Sequence, residues 1–408
     1  MEIAPIITHF TDTDLYKMSM CCAILNCFPR AQAQYTFVDR NNTVYPKGFA
    51  DELNKQIAYL EDVKIIEEEI EYMKLRCYYI PNWFYTFLRG FRYNREWVEA
   101  YQDEDGHLHV HFGRKGGYWH ETVLLEVQVM AIIARLYYIM TNQDDKYDSS
   151  EYYKKAYKKA DYLLRMGLTV SDFGTRRRFS FDAEEQVVKA FVDCQNDLKK
   201  CGLLRGKFVG TSNVYLAMKY NVTPVGPMAH EFVSAIAGMY GPVEANYIAM
   251  EMWQKTFNGS LGIYLYDTYG FDAFADNFSE HYARVFAGLR VDSGENLEQL
   301  DKIIAKYEEL GIDPKSKQVV FSNALDTESA VELHLKVNGR VLDSYGIGTH
   351  FTNDLEGVKP MNMVIKLLAI RMTEKRKWQK TCKMSEDKGK TTGDSDIVEA
   401  FNFLLNKE

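Results

Sequence analysis

From about residue 165 onwards, short apolar segments alternate with polar loops and with longer stretches of helical periodicity. TVSDFGTRRR passes from a strand pattern into glycine and basic residues, and AEEQVVKAFVDCQNDL then carries apolar residues at helical spacing. The same order recurs in GKFVGTSNVYLAMKYN, VTPVGPMAHEFVSAIAG, AGLRVDSGENLEQLDKIIAKYEEL, KQVVFSNALDTESAVELHLKVNG and RVLDSYGIGTHFTND. Repeated strand, loop and helix units are typical of parallel α/β folds, so we predict an irregular (α/β) barrel.

The first 120 residues or so have a more mixed pattern. It predicts a helix from Thr13 to Asn26, an extended segment AQAQYTFVDR, an acidic helix from Gly48 to Tyr72 and a hairpin in DEDGHLHVHFGRKGGYWHE. These short elements indicate a second domain of the α+β class. A polar, helix-rich stretch with a turn, TNQDDKYDSSEYYKKAYKKA, separates the two domains.

The C-terminal tail from about Lys359 begins with MNMVIKLLAI, which we interpret as a helix, and continues as a charged, turn-prone stretch through Lys390. We expect this tail to return to the N-terminal domain. The predicted domains are therefore residues 1–140, completed by 359–408, and the barrel at residues 141–358.

Composition and charge limit the cellular compartments and the classes of binding partner that suit this protein. The formal net charge of −8 disfavours nucleic acid and anionic membranes as partners, so any phosphate site must be a local one. The apolar run TVLLEVQVMAIIARLYYIM is interrupted by Glu126 and Arg135, which favours a buried helix over a membrane span. Seven cysteines without a C-x-x-C pair, and an N-terminus without a signal-peptide pattern, favour the cytoplasm.

Polar residues follow several predicted strands, where the loops of a parallel barrel converge on one face. In LRVDSGEN, Arg290 and Asp292 lie on the same side of a strand, where the carboxylate suits sugar hydroxyls and the guanidinium suits a phosphate. Ser322 and Asn323 of FSNALD occupy the corresponding loop of the next unit. The alternative for LRVDSGEN is that Asp292 and Ser293 only cap the following helix.

Two further loops contain candidates for anion binding. Gly346 and Gly348 of SYGIGTH follow a strand and leave backbone N–H groups open to a phosphate, although a tight turn is the alternative. Phe173 of DFGTRRR offers a ring for stacking. The arginines beside it suit a carboxylate or phosphate, and a solvated basic turn is the alternative. TDTDLYKMSM places Tyr16 on a helix capped at Thr11 or Asp12, which by pattern alone is an ordinary helix start.

Histidines appear in two contexts. His107, His109 and His111 share one face of a strand, which is more typical of the solvated side of a hairpin than of a metal site. His230 of PMAHEF lies between a proline-closed turn and an apolar helical run. One interpretation is a buried core histidine; the other is an imidazole that attacks the γ-phosphate of a nucleotide while Glu231 orients its second nitrogen. The sequence has neither a P-loop nor a G-x-G-x-x-G motif.

Taken in order, TDLYKMSM, SDFGTRRR, GTSNVYLA, PMAHEF, LRVDSG, FSNALD and YGIGTHFTND resemble the nicotinate phosphoribosyltransferase family, a type II phosphoribosyltransferase of NAD salvage, over nearly the whole chain. The resemblance implies an irregular barrel beside an N-terminal domain, and a homodimer with shared active sites. It implies that nicotinate, phosphoribosyl pyrophosphate, ATP and water give nicotinate mononucleotide, pyrophosphate, ADP and phosphate. Magnesium is the implied cofactor, ATP the co-substrate, and His230 the transiently phosphorylated residue.

The family also implies roles for individual residues. Tyr16, from the neighbouring subunit, and Phe173 would sandwich the pyridine ring, and Arg176 would hold its carboxylate; whether Arg177 or Arg178 shares that carboxylate is left open by the sequence. Arg290 would contact the pyrophosphate or 5′-phosphate and Asp292 the ribose hydroxyls. The remaining substrate-binding candidates are Ser212, Ser322, Asn323, Gly346, Gly348 and Thr349.

Ser212 bears on the choice of substrate. Relatives that use nicotinamide resemble G-T-D where this chain has Gly210-Thr211-Ser212, and an aspartate there would repel nicotinate while a hydroxyl donates to it. The arginine-rich DFGTRRR also favours the acid. Two alternatives are a nicotinamide phosphoribosyltransferase and a non-catalytic barrel that binds a phosphosugar.

Overall fold

The structure is a computed structural model that describes residues 3–385, 387 and 391–406. It contains two sheets, one parallel and one antiparallel, with helices packed on both. In the described residues the helices are α1 (Leu15–Cys27), α2 (Phe49–Tyr59), α3 (Glu67–Arg76), α4 (Asn82–Gly90), α5 (Trp119–Thr122), α6 (Leu125–Met140), α7 (Ser149–Met166), α8 (Phe181–Lys200), α9 (Val214–Lys219), α10 (His230–Tyr240), α11 (Ala245–Phe257), α12 (Phe271–Ala275), α13 (Glu280–Val285), α14 (Asn296–Glu309), α15 (Thr327–Val337), α16 (Thr349–Thr352) and α17 (Ser395–Leu404). Short 3₁₀ turns cover Leu60–Asp62, Arg95–Trp97, Asp144–Lys146, Thr175–Arg177 and Pro314–Ser316.

The parallel sheet holds the strand, loop and helix units of the sequence. Its strands are β4 (Thr169–Asp172), β5 (Lys207–Thr211), β6 (Thr223–Pro224), β7 (Ile263–Leu265), β8 (Gly288–Val291), β9 (Gln318–Phe321) and β10 (Leu342–Ile347). Their order is β6-β5-β4-β10-β9-β8-β7, and every neighbouring pair is parallel. Across the described residues β6 and β7 remain unpaired edges, so the predicted irregular barrel is confirmed as a curled half-barrel. Strand β7 is absent from the sequence prediction.

The antiparallel sheet combines the N-terminal region with the tail. Its strands are β1 (Gln32–Asp39), β2 (Val98–Gln102), β3 (Leu108–Phe112), β11 (Met363–Arg371) and β12 (Gln379–Lys380), in the order β12-β11-β1-β3-β2. Strand β1 pairs with β11 from Gln32 opposite Arg371 to Asp39 opposite Met363. The predicted return of the tail is therefore confirmed, whereas the domain limits stay a prediction. The predicted hairpin is present, although its first strand lies before Asp103.

The helix predicted for MNMVIKLLAI is wrong, because most of this segment forms β11. Its β-branched residues suit a strand, and β1 offers an edge with which the segment pairs along its length. The charged stretch predicted to follow it runs through Lys390, and residues 386 and 388–390 lie outside the described part of the chain.

The acidic helix predicted from Gly48 to Tyr72 is also wrong. Helices α2 and α3 replace it, separated by a 3₁₀ turn and by the apolar residues of VKII. Ile66 is extended, and the Glu69 carboxylate accepts a hydrogen bond of 2.9 Å from its backbone N–H, which begins α3. A run with β-branched residues thus ends one helix before a capping interaction begins another.

Helix α1 begins after Asp14, and the predicted caps Thr11 and Asp12 have other partners. The Thr11 hydroxyl donates to Glu69 at 2.5 Å, and Asp12 accepts two bonds of 2.6 Å from Arg178. The predicted cap is therefore wrong, since both side chains serve contacts between distant segments of the chain.

The segment Trp119–Met140 is long and apolar enough to cross a membrane, and 78% of its most apolar window is buried inside the fold. It forms α5 and α6, which pack on α2, β1 and β11. The expectation of a buried core helix is confirmed. Its burial positions Glu126 beside the cavity described below.

Candidate active site

A cavity of about 730 Å³ lies at the carboxyl ends of the parallel strands, facing the antiparallel sheet. Eleven of the predicted site residues line it: Phe173, Arg176, His230, Glu231, Arg290, Asp292, Ser322, Asn323, Gly346, Gly348 and Thr349. The opposite wall comes from the end of β1 and from the tail, and includes Arg40, Lys366 and Lys383. The loops therefore converge as a parallel sheet requires, and the tail completes the enclosure.

His230 is the first residue of α10, and both of its ring nitrogens have partners. Nε2 lies 3.1 Å from Oδ2 of Asp292, and Nδ1 lies 3.1 Å from Oγ1 of Thr268. Burial lowers the pKa of His230 below its ordinary value, and the positive charge of Lys383 acts in the same direction. The imidazole is therefore neutral at pH 7. Because an ionised Asp292 only accepts, we assign the proton to Nε2, which leaves the Nδ1 lone pair to accept from Thr268.

The prediction that Glu231 orients His230 is wrong, because its carboxylate is held elsewhere. Oε1 accepts from the Tyr35 hydroxyl at 2.6 Å and the Trp119 indole at 2.8 Å, and Oε2 contacts Nζ of Lys17 at 2.7 Å. Consecutive residues at the start of a helix point in different directions, so sequence adjacency misleads here. The orienting carboxylate is Asp292, 62 residues away along the chain.

Asp292 is the centre of a polar cluster at the end of β8. Its Oδ1 accepts from Ser322 at 2.9 Å and lies 3.4 Å from Nη2 of Arg290, and Arg290 also donates to the Ser322 hydroxyl at 3.0 Å. Burial alone would raise the Asp292 pKa, but Arg290, His230 and Lys383 outweigh it and hold the pKa well below the ordinary range. The carboxylate is therefore ionised at neutral pH.

The capping alternative for Asp292 and Ser293 is wrong. Helix α14 is capped by Glu295, whose carboxylate accepts from Leu297 and Glu298 at 2.9 and 2.8 Å. Asp292 is thereby left to the cavity. In the next loop, Ser322 contacts Asp292, whereas the Asn323 amide donates to the Gly294 carbonyl at 3.1 Å.

The glycines after β10 make room for Phe173. A Cβ on Gly346 would lie 2.4 Å from a ring atom of Phe173, and one on Gly348 would lie 2.9 Å from the Phe173 carbonyl oxygen. The Arg290 guanidinium lies 5.7 Å from the centre of the same ring. Close packing of two loops therefore explains Gly346, and Gly348 with Thr349 begins α16 at the cavity wall.

The three arginines of DFGTRRR separate in space. Arg176 lines the cavity with its side chain 40% exposed, and its guanidinium lies 3.6 Å from Glu126 and 3.8 Å from Asp14. Arg177 also lines the cavity, where burial and the charge of Arg176 lower its pKa to about 10. Arg178 is buried in ion pairs with Asp12 and Glu184. Arg177 is thus the arginine placed to act beside Arg176, and a simple solvated turn is excluded.

Tyr16 and Ser212 lie behind the cavity wall. The Tyr16 ring, 6% exposed, is 5.8 Å from the Arg176 guanidinium of the same chain. The Ser212 hydroxyl donates to Asp14 at 2.5 Å and is also buried. Neither side chain lines the cavity, so their contacts with the substrate stay predictions. Tyr16 neighbours Arg176 directly, and Ser212 is connected to Arg176 through Asp14.

Among the residues of this site that sequence reasoning missed are Arg40, Thr268, Lys366 and Lys383. Thr268 follows β7 in IYLYDTYG, so the same signal of polar residues after a short strand would have found it. Burial lowers the pKa of Lys366 to about 8, with contributions from Arg40 and Lys383. These cations join the site through the antiparallel sheet, which no local pattern predicts.

The chemistry of this cavity is that of an anion-binding α/β enzyme with a neutral histidine and an ionised aspartate. Residues 168–406 match the nicotinate phosphoribosyltransferase (NAPRTase) family, and residues 11–134 match the N-terminal domain of that family. The nicotinate phosphoribosyltransferases of Desulforapulum autotrophicum and Chromohalobacter salexigens are each 37% identical to this chain, covering 96% and 97% of both chains respectively.

Solved structures agree with these matches. The crystal structure of nicotinate phosphoribosyltransferase from Porphyromonas gingivalis has a TM-score of 0.92 and 34% identity, covering 98% of this chain and 100% of the other. The enzyme from Vibrio cholerae has a TM-score of 0.87 and 28% identity, covering 100% of this chain and 96% of the other. The chain therefore belongs to the nicotinate phosphoribosyltransferase family.

Proposed function

We propose that this protein joins nicotinate to phosphoribosyl pyrophosphate, giving nicotinate mononucleotide and pyrophosphate, and couples the reaction to hydrolysis of ATP. The observation that carries the proposal is the pairing of neutral His230 with ionised Asp292 in a cavity that is also lined by Phe173 and by four arginines, Arg176 and Arg177 among them. The cavity volume of about 730 Å³ suits ligands of this size.

The pyridine ring stacks on Phe173, and its carboxylate faces Arg176 and Arg177. Both cations line the cavity, and Arg176 has only distant carboxylate partners at 3.6 and 3.8 Å, so a substrate carboxylate is a better partner for it. Ser212 carries no charge that would repel the acid. These features favour nicotinate over the neutral amide.

The phosphoribosyl group extends along the ends of β8, β9 and β10. Asp292 accepts from the ribose hydroxyls, Arg290 contacts pyrophosphate oxygens, and Gly348 with Thr349 holds the 5′-phosphate, while Ser322 fixes the Asp292 carboxylate. Arg40, Lys366 and Lys383 on the opposite wall offset the remaining negative charge.

The pyridine nitrogen forms a bond to the anomeric carbon as the bond to pyrophosphate breaks. The sugar carbon carries positive charge in this transition state, so positioning and charge placement supply most of the catalysis. Ionised Asp292 and phosphate oxygens form a donor set that suits Mg²⁺, which would be held there and would neutralise pyrophosphate charge. No group of three or more metal-ligating side chains is present in the described residues.

His230 serves the ATP step. Its Nδ1 lone pair attacks the γ-phosphorus, the bond to the bridging oxygen breaks, and ADP leaves with that electron pair. Asp292 accepts the hydrogen bond from Nε2–H and stabilises the positive charge that develops on the ring. Water later attacks the phosphorus of the phosphohistidine, releasing phosphate and restoring the neutral ring.

We also propose that the protein works in the cytoplasm as a homodimer whose neighbouring subunits complete each other's sites. Exposed apolar side chains near the α10–α11 junction, Tyr240, Val243 and Tyr247, support an interface between protomers. Sedimentation equilibrium, together with activity assays of the isolated monomer and dimer, tests the proposed dimer and its shared sites.

The test of the activity follows mononucleotide formation from nicotinate or nicotinamide, with phosphoribosyl pyrophosphate and Mg²⁺, in the presence and absence of ATP. We expect nicotinate to be used with the higher kcat/KM and ATP to stimulate the reaction strongly. Preference for the amide would establish a nicotinamide phosphoribosyltransferase. Binding of phosphoribosyl pyrophosphate without product from either base would establish a non-catalytic barrel.

A further inference from the structure

Lys17 is a buried lysine whose ammonium group contacts two carboxylates that line the cavity. Its side chain is 0% exposed, and Nζ lies 2.5 Å from Oε2 of Glu126 and 2.7 Å from Oε2 of Glu231. Glu126 faces Arg176, the proposed partner of the substrate carboxylate, and Glu231 directly follows His230 in α10. A continuous series of charged contacts therefore runs from Arg176, at the proposed binding site of the pyridine carboxylate, through Glu126 and Lys17 to Glu231 on the helix that carries His230.

We propose that Lys17 is a positioning residue that couples occupancy of the ring-carboxylate site to the geometry of His230. This inference rests on the proposed function and deepens it, because it names the connection by which nicotinate binding and the ATP step influence each other. Lys17 does not line the cavity, so it acts only through Glu126 and Glu231.

Lys17 alone does not offset the charges of the series. Two carboxylates share Lys17, which leaves one negative charge, and the cation next to Glu126 is Arg176, which also lies 3.8 Å from Asp14. Burial would lower the pKa of Lys17, but Glu126 and Glu231 outweigh it and raise that pKa above its ordinary value. The lysine is therefore charged at every pH at which the enzyme works.

The contacts at the two ends differ in strength. Arg176 is 40% exposed and approaches Glu126 only to 3.6 Å, whereas the two Lys17 contacts are direct and fully enclosed. A substrate carboxylate can therefore draw the Arg176 guanidinium away at little cost. Glu126 is then left with Lys17 as its main cation, which pulls Lys17 from Glu231.

Glu231 transmits this change to His230. Its other oxygen is fixed by Tyr35 and Trp119, so a weaker Lys17 contact rotates the carboxylate about that anchor, at the first turn of α10. His230 is the first residue of the same turn and is held by Thr268 and Asp292 through single bonds of 3.1 Å. A small movement of the helix start therefore changes how the imidazole faces a nucleotide.

A purely structural role explains the series less well. Buried ion pairs are no more stabilising than well-packed apolar side chains of the same volume, because removal of ions from water offsets their attraction. A series needed only for packing would be satisfied by apolar residues at all three positions, Lys17, Glu126 and Glu231. Charge is needed where a charged substrate is to be sensed.

Coupling between two sites is reciprocal and is measured as a ratio of affinities. The experiment determines the dissociation constant of nicotinate by calorimetry with and without a non-hydrolysable ATP analogue, using the full chain with Mg²⁺. For the natural protein we expect the analogue to change nicotinate affinity by about tenfold, within the usual range of allosteric coupling. For nicotinamide, which has no carboxylate to draw Arg176, we expect a ratio of about one.

The main variant is Lys17→Met, in which we expect the ratio for nicotinate to fall to about one. Glu126→Gln interrupts the same series of contacts. In this variant Lys17 keeps its ion pair with Glu231, and Arg176 stays near Asp14, so no buried charge loses every partner. We expect the same loss of coupling from it, which keeps the test decisive if Lys17→Met does not fold. The matched control is Lys317→Met, which removes another buried lysine at the opposite end of the sheet, where Nζ donates to the Phe286 carbonyl.

Each outcome has one meaning. A ratio that persists in a folded Lys17→Met or Glu126→Gln protein overturns the proposal, as does a ratio of one in a natural protein that makes nicotinate mononucleotide. Equal loss in Lys317→Met also overturns it, since loss of any buried lysine would then suffice. A natural protein that makes no mononucleotide and binds no nicotinate contradicts the proposed function itself.

Discussion

Oδ2 of Asp292 lies 3.1 Å from Nε2 of His230, and this contact joins the end of β8 to the first residue of α10. The aspartate also accepts from Ser322 and lies beside Arg290, so one carboxylate connects the histidine of the proposed ATP step with the proposed phosphoribosyl site. The two steps of the proposed reaction therefore share a residue, and variants at each end should affect them differently.

Replacement of His230 separates the ATP step from the transfer itself. We expect His230→Ala to retain slow ATP-independent formation of the mononucleotide and to lose the stimulation by ATP, because Nδ1 is the proposed nucleophile. Assays with and without ATP measure the stimulation, and γ-³²P-labelled ATP reports the phosphoenzyme. Stable labelling of the alanine variant would place the phosphate elsewhere.

Replacement of Asp292 should impair both steps. Asp292→Asn keeps the size of the side chain but removes the charge that Arg290, Ser322 and His230 all contact. We expect kcat/KM for phosphoribosyl pyrophosphate to fall by about 10²- to 10³-fold, as when one preorganised electrostatic contact is lost. Steady-state kinetics with and without ATP check this, and a loss confined to the ATP-stimulated rate contradicts the shared role.

A side chain at Gly346 should disturb the ring site selectively. The Cβ of Gly346→Ala would meet the Phe173 ring at 2.4 Å, so the ring must move from its stacking position. We expect KM for nicotinate to rise about tenfold and stability to fall by about 1–3 kcal/mol, the usual cost of overpacking. Gly90→Ala is the control, because its Cβ would meet no atom within 4 Å. An unchanged KM would show that Phe173 does not stack on the substrate.

Ser212→Asp tests substrate selectivity. The serine hydroxyl donates to Asp14, so a carboxylate there would face a second buried carboxylate and would also repel nicotinate. We expect kcat/KM for nicotinate to fall, and stability to drop by roughly 3–5 kcal/mol, as for a buried charge without a partner. Ser212→Ala, which removes only the hydrogen bond, is the comparison. If the folded aspartate variant uses nicotinate as well as the natural protein, this account of selectivity is wrong.

The lowered pKa of Lys366 predicts a basic limb in the pH profile. Burial, with Arg40 and Lys383, brings this pKa to about 8, so Lys366 loses its positive charge at a lower pH than an ordinary lysine. We expect KM for phosphoribosyl pyrophosphate to rise as the pH increases through about 8. Lys366→Met should have the higher KM at pH 7 and lack that limb. A limb that persists in this variant belongs to another group.

The sequence by itself determined the repeated parallel units, the second domain and most of the site. The positions at or just after the ends of short apolar strands include Phe173, Arg290, Asp292, Ser322 and Gly348, and they meet because parallel strands bring their carboxyl ends to one edge whatever the loops contain. The local sequence pattern was sufficient to place a residue in the site wherever that residue lies at the end of its own strand.

Only the tertiary structure decided which side chains meet. The apolar run of the tail segment at β11 is compatible locally with a helix or a strand, and it forms a strand because β1 supplies its hydrogen-bond partners; this pairing brings Lys366 to the cavity. Glu231 adjoins His230 in sequence yet binds Lys17, while Asp292 holds the imidazole from 62 residues away. The interaction between two charged groups depends on their separation and burial in the folded chain, and neighbours in sequence determine neither quantity.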